Sequence, residues 1–174
     1  MSFITRILSV GLTALAVSLL WLGVALAQSG GCSTDRSGSQ DVLHCPDGLT
    51  IIVEKGARYS LADRDGDGQL DAARLQGKAL LLDLPRQAKP TRFEVITPQA
   101  IAAVRGTKWA VDVQGGKTSV FVVRGQVDVR RSTGGTAVAL GPGQGVDVET
   151  GSAALVVKRW PAARVAALMA RLGQ

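Results

Sequence analysis

The sequence is poor in the residues on which most catalytic and metal sites depend. It contains one histidine, two cysteines, one tyrosine, three phenylalanines and three tryptophans among 174 residues. His44 is therefore the only imidazole base, and it adjoins Cys45, so no convincing Ser–His or Cys–His triad can be assembled. A Cys/His zinc site needs four ligands, and the chain offers only three such side chains. These absences favour a protein that is not an enzyme.

Positive charge is neither strong nor concentrated. The net charge of +6 is spread along the chain. Nucleic-acid-binding proteins cluster lysines and arginines on one face, with aromatic side chains among them. Here the aromatics are few and scattered. We therefore expect no nucleic-acid partner, and a soluble surface that tolerates anionic membrane lipids.

Residues 1–27 carry the three parts of a secretory signal. Arg6 is the only charge there, and the apolar run from Ile7 to Ala27 ends in Ala25-Leu26-Ala27. A basic start, an apolar middle and an A-x-A end predict cleavage after residue 27 and a periplasmic or secreted product. One alternative is an uncleaved anchor, since about 20 apolar residues can span a bilayer. A lipid-modified Cys32 is the other, and the cleavage motif favours the signal over both.

The two cysteines lie close together after this segment. Twelve residues separate Cys32 from Cys45. A close pair in an oxidising compartment is most simply a disulfide. Because the segment begins with a polar, Ser- and Gly-rich stretch, we predict a disulfide-tied N-terminal loop over residues 28–48.

Short β-branched segments alternate with glycine-bearing turns over residues 49–158. Strands of about five residues recur every 8–12 residues, and Gly115-Gly116 and Gly134-Gly135 mark two hairpins. The predicted strands include Leu49–Lys55, Leu70–Leu75, Ala79–Leu84 and, last, Ala153–Val157. No crossover helix interrupts the strands. The pattern predicts one all-β domain, either a short-stranded sandwich or a β-solenoid.

Residues 160–173 change to helical spacing. The apolar side chains recur at i, i+3, i+4 and i+7 and fall on one helix face: Val165, Leu168, Met169 and Leu172. Pro161 suits a first helical turn. We predict a C-terminal amphipathic helix that covers the sheet. The alternative is a helix that binds a membrane or a partner.

An acidic, glycine-bearing turn is the clearest candidate for a metal site. Five residues match positions 1, 3, 5, 7 and 9 of an EF-hand calcium loop, with Gln69 offering its carbonyl at position 7: Asp63, Asp65, Asp67, Gln69 and Asp71. Position 12, where a bidentate glutamate belongs, is Arg74, which removes two oxygens and adds a positive charge. The alternatives are a weak Ca²⁺ site, which would be the only cofactor, and a solvated Asp/Gly turn.

Residues 96–148 resemble the FecR domain family. The matching elements are Thr97-Pro98, then Arg105-Gly106-Thr107 before an aromatic and alternating apolar residues, a strand that runs into Gly125-Gln126-Val127, and a closing turn with Gly143-Gln144. The resemblance implies an all-β domain without catalytic machinery, which agrees with the strand pattern. It also implies a sensing or protein-interaction role with an envelope or membrane protein as partner. Arg105 and Arg124 precede glycines in two similar turns, either as a small basic patch or as turn arginines.

One departure from the family pattern limits what the resemblance implies. Family members that regulate sigma factors carry a cytoplasmic segment before one transmembrane helix, whereas only Met1–Arg6 precedes the apolar run here. We therefore expect a periplasmic FecR-like protein that lacks the cytoplasmic anti-sigma segment.

The leading hypothesis is an exported, non-enzymatic sensing or protein-interaction module of the bacterial envelope. The alternative is a structural, Ca²⁺-stabilised periplasmic protein with no signalling role. Membrane association would require an uncleaved signal or the C-terminal helix.

Overall fold

The computed structural model describes residues 31–38, 40–85, 93–104 and 106–174. The proposed signal, residues 86–92 and Arg105 lie outside the described residues. Within them the chain forms thirteen strands and one helix: β1 (Ser33–Ser37), β2 (Gln40–His44), β3 (Thr50–Glu54), β4 (Arg58–Ala62), β5 (Ala72–Asp83), β6 (Phe93–Ile96), β7 (Ala100–Val104), β8 (Lys108–Gln114), β9 (Lys117–Arg124), β10 (Val127–Arg131), β11 (Gly134–Leu140), β12 (Gln144–Glu149), β13 (Lys158–Arg159) and α1 (Ala162–Arg171).

The strands make one curled sheet with two halves that share β5. Sheet I has the order β1-β2-β3-β5-β8-β9-β12-β13, and sheet II has the order β4-β5-β6-β7-β10-β11. Among the described strands only β5 and β6 pair in parallel. A β-solenoid would stack successive turns in parallel, so the observed pairing corresponds to the sandwich alternative. The prediction of an all-β fold with a C-terminal helix is confirmed.

Strand β5 changes sheets at residues 76–78. Its first half pairs with β4 and β6, and its second half pairs with β3 and β8. Lys78 adopts a φ of 66°, a left-handed conformation that L-residues rarely take. Gly77 precedes it, and this glycine–lysine pair is where the strand turns from one sheet into the other.

The core follows from the side-chain alternation along each strand. Leu80 and Leu82 of β5, with Trp109 and Val111 of β8, face inward and are fully buried between the two sheets. Ala79 and Leu81 face the opposite side of sheet I, where α1 covers them. Because Ala79–Leu82 in the second half of β5 are covered on both faces, this part of the strand is a continuous apolar run rather than an alternating one.

The helix packs on the outer face of sheet I. Leu168 and Leu172 contact the cluster formed by Leu81, Ala110 and Phe121. The helix spans Ala162–Arg171, inside the predicted 160–173. The expected covering role is therefore confirmed.

Two local predictions are wrong. Within the predicted loop of residues 28–48, β1 and β2 form an antiparallel hairpin that extends sheet I beyond β3. The hairpin is polar, but hydrogen bonding to the edge of β3 and the Cys32–Cys45 disulfide beside it outweigh a weak strand propensity. The apolar segment Ala153–Val157 forms no strand; only Lys158 and Arg159 pair with β12.

Candidate functional site

The Thr-Pro motif forms a turn between β6 and β7 in which Thr97 is buried and Pro98 is exposed. Thr97 Oγ1 accepts a hydrogen bond from the backbone N–H of Ala100 at 2.9 Å and lies 2.8 Å from Thr118 Oγ1. The Thr118 hydroxyl donates to Gln99 Oε1 at 2.8 Å. Ser132 Oγ donates to the carbonyl of Pro98 at 2.7 Å. This motif therefore ties its turn to β9 and to the β10–β11 hairpin.

The second motif holds the start of β8 against the turn after β9. Thr107 Oγ1 donates to the carbonyl of Gln126 at 3.0 Å. Gly125 has a φ of 89°, and a Cβ at this position would lie 2.7 Å from Thr107 Oγ1. Arg124 Nη2 lies 2.7 Å from Asp83 Oδ1. This ion pair fits the alternative in which Arg124 is a turn arginine rather than part of a basic patch. Arg105 lies outside the described residues.

The third motif forms the turn into β12. Gln144 Oε1 accepts from the backbone N–H of Gly141 at 2.7 Å. Gly143, with a φ of 76°, accepts from the backbone N–H of Trp160 through its carbonyl at 3.1 Å. The described motif residues thus build turns and position the C-terminal segment. Their contacts are those of a structural signature rather than of a ligand site.

The acidic turn brings together part of the predicted metal site. One carboxylate oxygen from each of Asp63, Asp65 and Asp67 lies within 4.8 Å of the others. Asp71 instead pairs with Arg64, whose Nε lies 3.0 Å from Asp71 Oδ1. The side-chain nitrogen of Gln69 donates to Asp67 Oδ2 at 3.3 Å. Three of the five predicted ligands, the carboxylates of Asp63, Asp65 and Asp67, therefore converge, whereas the Asp71 carboxylate is paired with Arg64.

Backbone hydrogen bonds shape the electrostatics of this turn. The N–H of Gly68 and then that of Gly66 hold the pKa of Asp63 below its ordinary value. The N–H of Asp67 lowers the pKa of Asp65, but desolvation and the charges of Asp67 and Asp63 together raise it above its ordinary value. Carboxylates this close repel one another, and the repulsion disfavours full ionisation. A bound cation would relieve this repulsion.

Two arginines of the C-terminal segment fix α1 to sheet I. Arg171 Nη2 lies 2.6 Å from Glu54 Oε2, and its Nη1 lies 2.8 Å from Asp112 Oδ2. The hydrogen bonds that Arg171 donates to Asp112 and then to Glu54 raise the pKa of its guanidinium above the ordinary value. Arg164 binds Asp147 and lies 3.5 Å above the Trp160 ring. Forked guanidinium–carboxylate pairs of this kind fix orientation as well as distance.

An apolar cleft lies beside the helix, and we call it the helix cleft. Its volume is about 370 Å³, and it is lined by Phe121, Val122, Val123, Val165, Met169, Gly143, Lys108 and Gln174. Val123 is 40% exposed. Phe121 also stacks on Trp160, with ring centroids 5.1 Å apart. Methionine adapts its shape to different apolar partners, so this cleft can accept an apolar side chain.

The β9 part of the helix cleft was not predicted from the sequence. Val165 and Met169 were identified only as helix-stripe residues. The sequence feature that indicates this surface is the unbroken apolar run Val120–Val123 in β9. A strand that is apolar on both faces is packed against other parts of the protein on both faces. Alternation alone would have predicted a solvent-facing side.

No helix in the described residues is long and apolar enough to cross a membrane. The model of the FecR protein family matches residues 32–128, more than half of the chain. This protein belongs to the FecR family. No curated protein is significantly similar to the chain.

Two crystal structures share the fold. Both are of a protein assigned as an anti-sigma factor from Parabacteroides distasonis ATCC 8503, at 1.65 and 2.50 Å resolution. Each is 20% identical to this chain, with a TM-score of 0.59, over 79% of it. The match covers 64% and 63% of those chains, so this chain spans less than two thirds of their length. At this identity the likeness concerns the fold.

Proposed function

We propose that this protein is an exported sensing or protein-interaction module of the bacterial envelope, without enzymatic activity. Membership of the FecR family supports a regulatory sensing role. The anti-sigma assignment of the structural neighbours supports a function through protein contacts. The Cys32–Cys45 disulfide supports residence in an oxidising compartment.

The helix cleft is the observation that carries the interaction role. It places an exposed valine and an adaptable methionine in one concave apolar surface. Interface cores are depleted of charge and often centre on one anchor side chain in such a pocket. We propose that an envelope or membrane protein inserts an apolar side chain here, between β9 and α1.

Site-specific photo-crosslinking in the producing cell tests this role. A benzoylphenylalanine at position 123 should capture one defined envelope or membrane protein. The matched control is position 156, because Val156 is the other large exposed apolar side chain in the described residues, at 59% exposure. A Val123→Asp variant should lose co-purification of that protein with an unchanged melting temperature. Capture at both positions alike, or at neither, would contradict the proposal.

Export is tested by the mass of the protein recovered from the periplasm or medium. We expect the chain to begin at Gln28, because Ala25-Leu26-Ala27 fits the signal-peptidase motif. Recovery only from the cytoplasm would contradict export. Recovery of the uncleaved chain from membranes would favour the anchor alternative.

A second candidate is a Ca²⁺-stabilised structural protein with no signalling role. The convergence of three carboxylates in the acidic turn favours it. The two candidates differ in a simple way: the structural protein should yield no crosslink at position 123 but should melt at a higher temperature with Ca²⁺.

A further inference from the structure

A second cleft lies on the outer face of sheet II, where β4 pairs with the first half of β5. We call it the arginine cleft. It has a volume of about 270 Å³ and is lined by Ala57, Arg58, Tyr59, Ser60, Arg74 and Gln76. Ser60 pairs directly with Arg74 across the two strands, and a bulge at Arg58–Tyr59 shifts the register. The cleft therefore sits at a break in the strand pairing, where bulges redirect side chains.

The arginine cleft is positively charged and contains no acid among its lining residues. Arg58 Nη2 donates to the carbonyl of Gln76 at 3.3 Å. Within the described residues neither Arg58 nor Arg74 has a carboxylate within ion-pair distance. By contrast, other guanidiniums described above are matched with carboxylates: those of Arg64, Arg124, Arg164 and Arg171.

The surroundings of the cleft add positive charge. Lys78 Nζ donates to the carbonyl of Lys55 at 2.5 Å, which places two ammonium-bearing residues at the adjoining β3–β4 turn. Glu54, the acid next to that turn, is held by Arg171 and by the N–H of Ala79. Burial raises the pKa of Tyr59, the charge of Asp41 raises it further, and Arg36 lowers it by less. The Tyr59 phenol therefore stays a neutral hydroxyl.

We infer that the arginine cleft binds a phosphate group. Guanidinium forks match oxyanion geometry, and the Ser60 hydroxyl and Gln76 amide supply further donors at the same cleft. Two unmatched cations favour a group with close to two negative charges, as a phosphate monoester has at neutral pH, over a singly charged carboxylate. The cleft is smaller than the pockets that enclose drug-sized ligands, which suits a headgroup. The inference does not depend on the partner proposed for the helix cleft.

Titration of the full secreted chain with inorganic phosphate tests the inference. Chemical-shift changes in the backbone amides of Ser60, Arg74 and Gln76 should saturate at millimolar phosphate. Arg74→Gln should weaken this binding at least ten-fold, and its fold should persist because Arg74 is exposed and makes no side-chain hydrogen bond in the described residues. The matched control is Arg130→Gln, which removes the same charge three strands away on the same sheet.

Two further arms identify the source of the phosphate. Vesicles of phosphatidylcholine with phosphatidic acid, whose headgroup is a phosphate monoester, should bind the chain in an Arg74-dependent way if a lipid headgroup is the ligand. Saturable binding of inorganic phosphate without vesicle binding would identify a soluble ligand. Acetate at equal ionic strength should bind more weakly than phosphate. Absence of saturable binding in both arms, or equal losses in Arg74→Gln and Arg130→Gln, would overturn the inference.

Discussion

Single glycines and threonines determine the geometry of the turns in this domain. Thr97, Thr107 and Gly125 are recognisable from the sequence as a family pattern, but their partners are not, because Thr118 and Gln126 lie about twenty residues further along the chain. The sequence therefore predicted the motif residues and their turns without predicting the hydrogen-bond partners that hold them. Trp109 and Trp160 are both buried.

Gly125→Ala should destabilise the domain by about 2–5 kcal/mol. The left-handed φ costs roughly 1–2 kcal/mol for an L-residue, and overlap of the Cβ with Thr107 Oγ1 adds about 1–3 kcal/mol of overpacking. The free energy of unfolding in urea measures this. Gly135→Ala is the control, since Gly135 also has a positive φ but has open space around its Cβ position. Equal losses in both variants would show that the Thr107 contact carries no weight.

The pH dependence of stability should report on Asp147. Desolvation raises its pKa, but hydrogen bonds from Arg164 and Ser119 outweigh this and leave the folded-state pKa below the ordinary value. The ionised Asp147 carboxylate therefore stabilises the folded state above about pH 4, the unfolded-state pKa. This stabilisation is lost as the pH falls through the folded-state pKa. Because about a third of each side chain is exposed, we expect less than about 1 kcal/mol.

Urea unfolding of the wild type and Asp147→Asn between pH 7 and pH 3 measures this contribution. The difference in unfolding free energy should be constant at neutral pH and should shrink below about pH 4. Asp128→Asn, at an exposed residue of β10, is the control and should show no such trend. A difference that grows as the pH falls would contradict the assignment.

At the scale of helices and strands, prediction succeeded where the apolar residues recur with a clear period. It failed where pairing with a distant strand determines the local structure. The strands from β6 to β12 and helix α1 were predicted because alternation and helical spacing mark them. The β1–β2 hairpin was missed because β1 is polar throughout and β2 has only two apolar residues, Val42 and Leu43. Strand β5 was predicted as two segments, since Gly77 and Lys78 interrupt its apolar run. Ala153–Val157 is apolar but has no partner strand in the described residues.

The acidic turn should bind Ca²⁺ weakly, and this stays a prediction. Binding to the folded state stabilises it by mass action, so millimolar Ca²⁺ should raise the melting temperature by roughly 2–4 °C relative to EDTA. Asp65→Asn should abolish the rise, because it removes one of the three converging carboxylates. Asp128→Asn should leave it unchanged. An unchanged melting temperature at millimolar Ca²⁺ would contradict this prediction.

At the scale of the whole molecule, the disulfide closes the open end of the N-terminal β1–β2 hairpin, next to the Ser33–His44 pair. Reducing Cys32–Cys45, or replacing both residues with serine, should cost up to about 3 kcal/mol on the chain-entropy model for a loop of this size. Thermal unfolding with and without dithiothreitol measures the cost. The double-serine variant is the control, because it should not respond to the reductant. If the wild type unfolds at the same temperature with and without dithiothreitol, the disulfide has no stabilising role.

The shared strand β5 has a consequence for the order in which the molecule can form. It pairs with β3 and β4 before it in the chain and with β6 and β8 after it, so neither sheet is complete until both flanking regions have reached it. Contacts between residues far apart in sequence slow folding. Nascent chains that end before residue 114 would leave the inner β5 edge of sheet I without β8, and such an open edge is where association between unfinished copies would start.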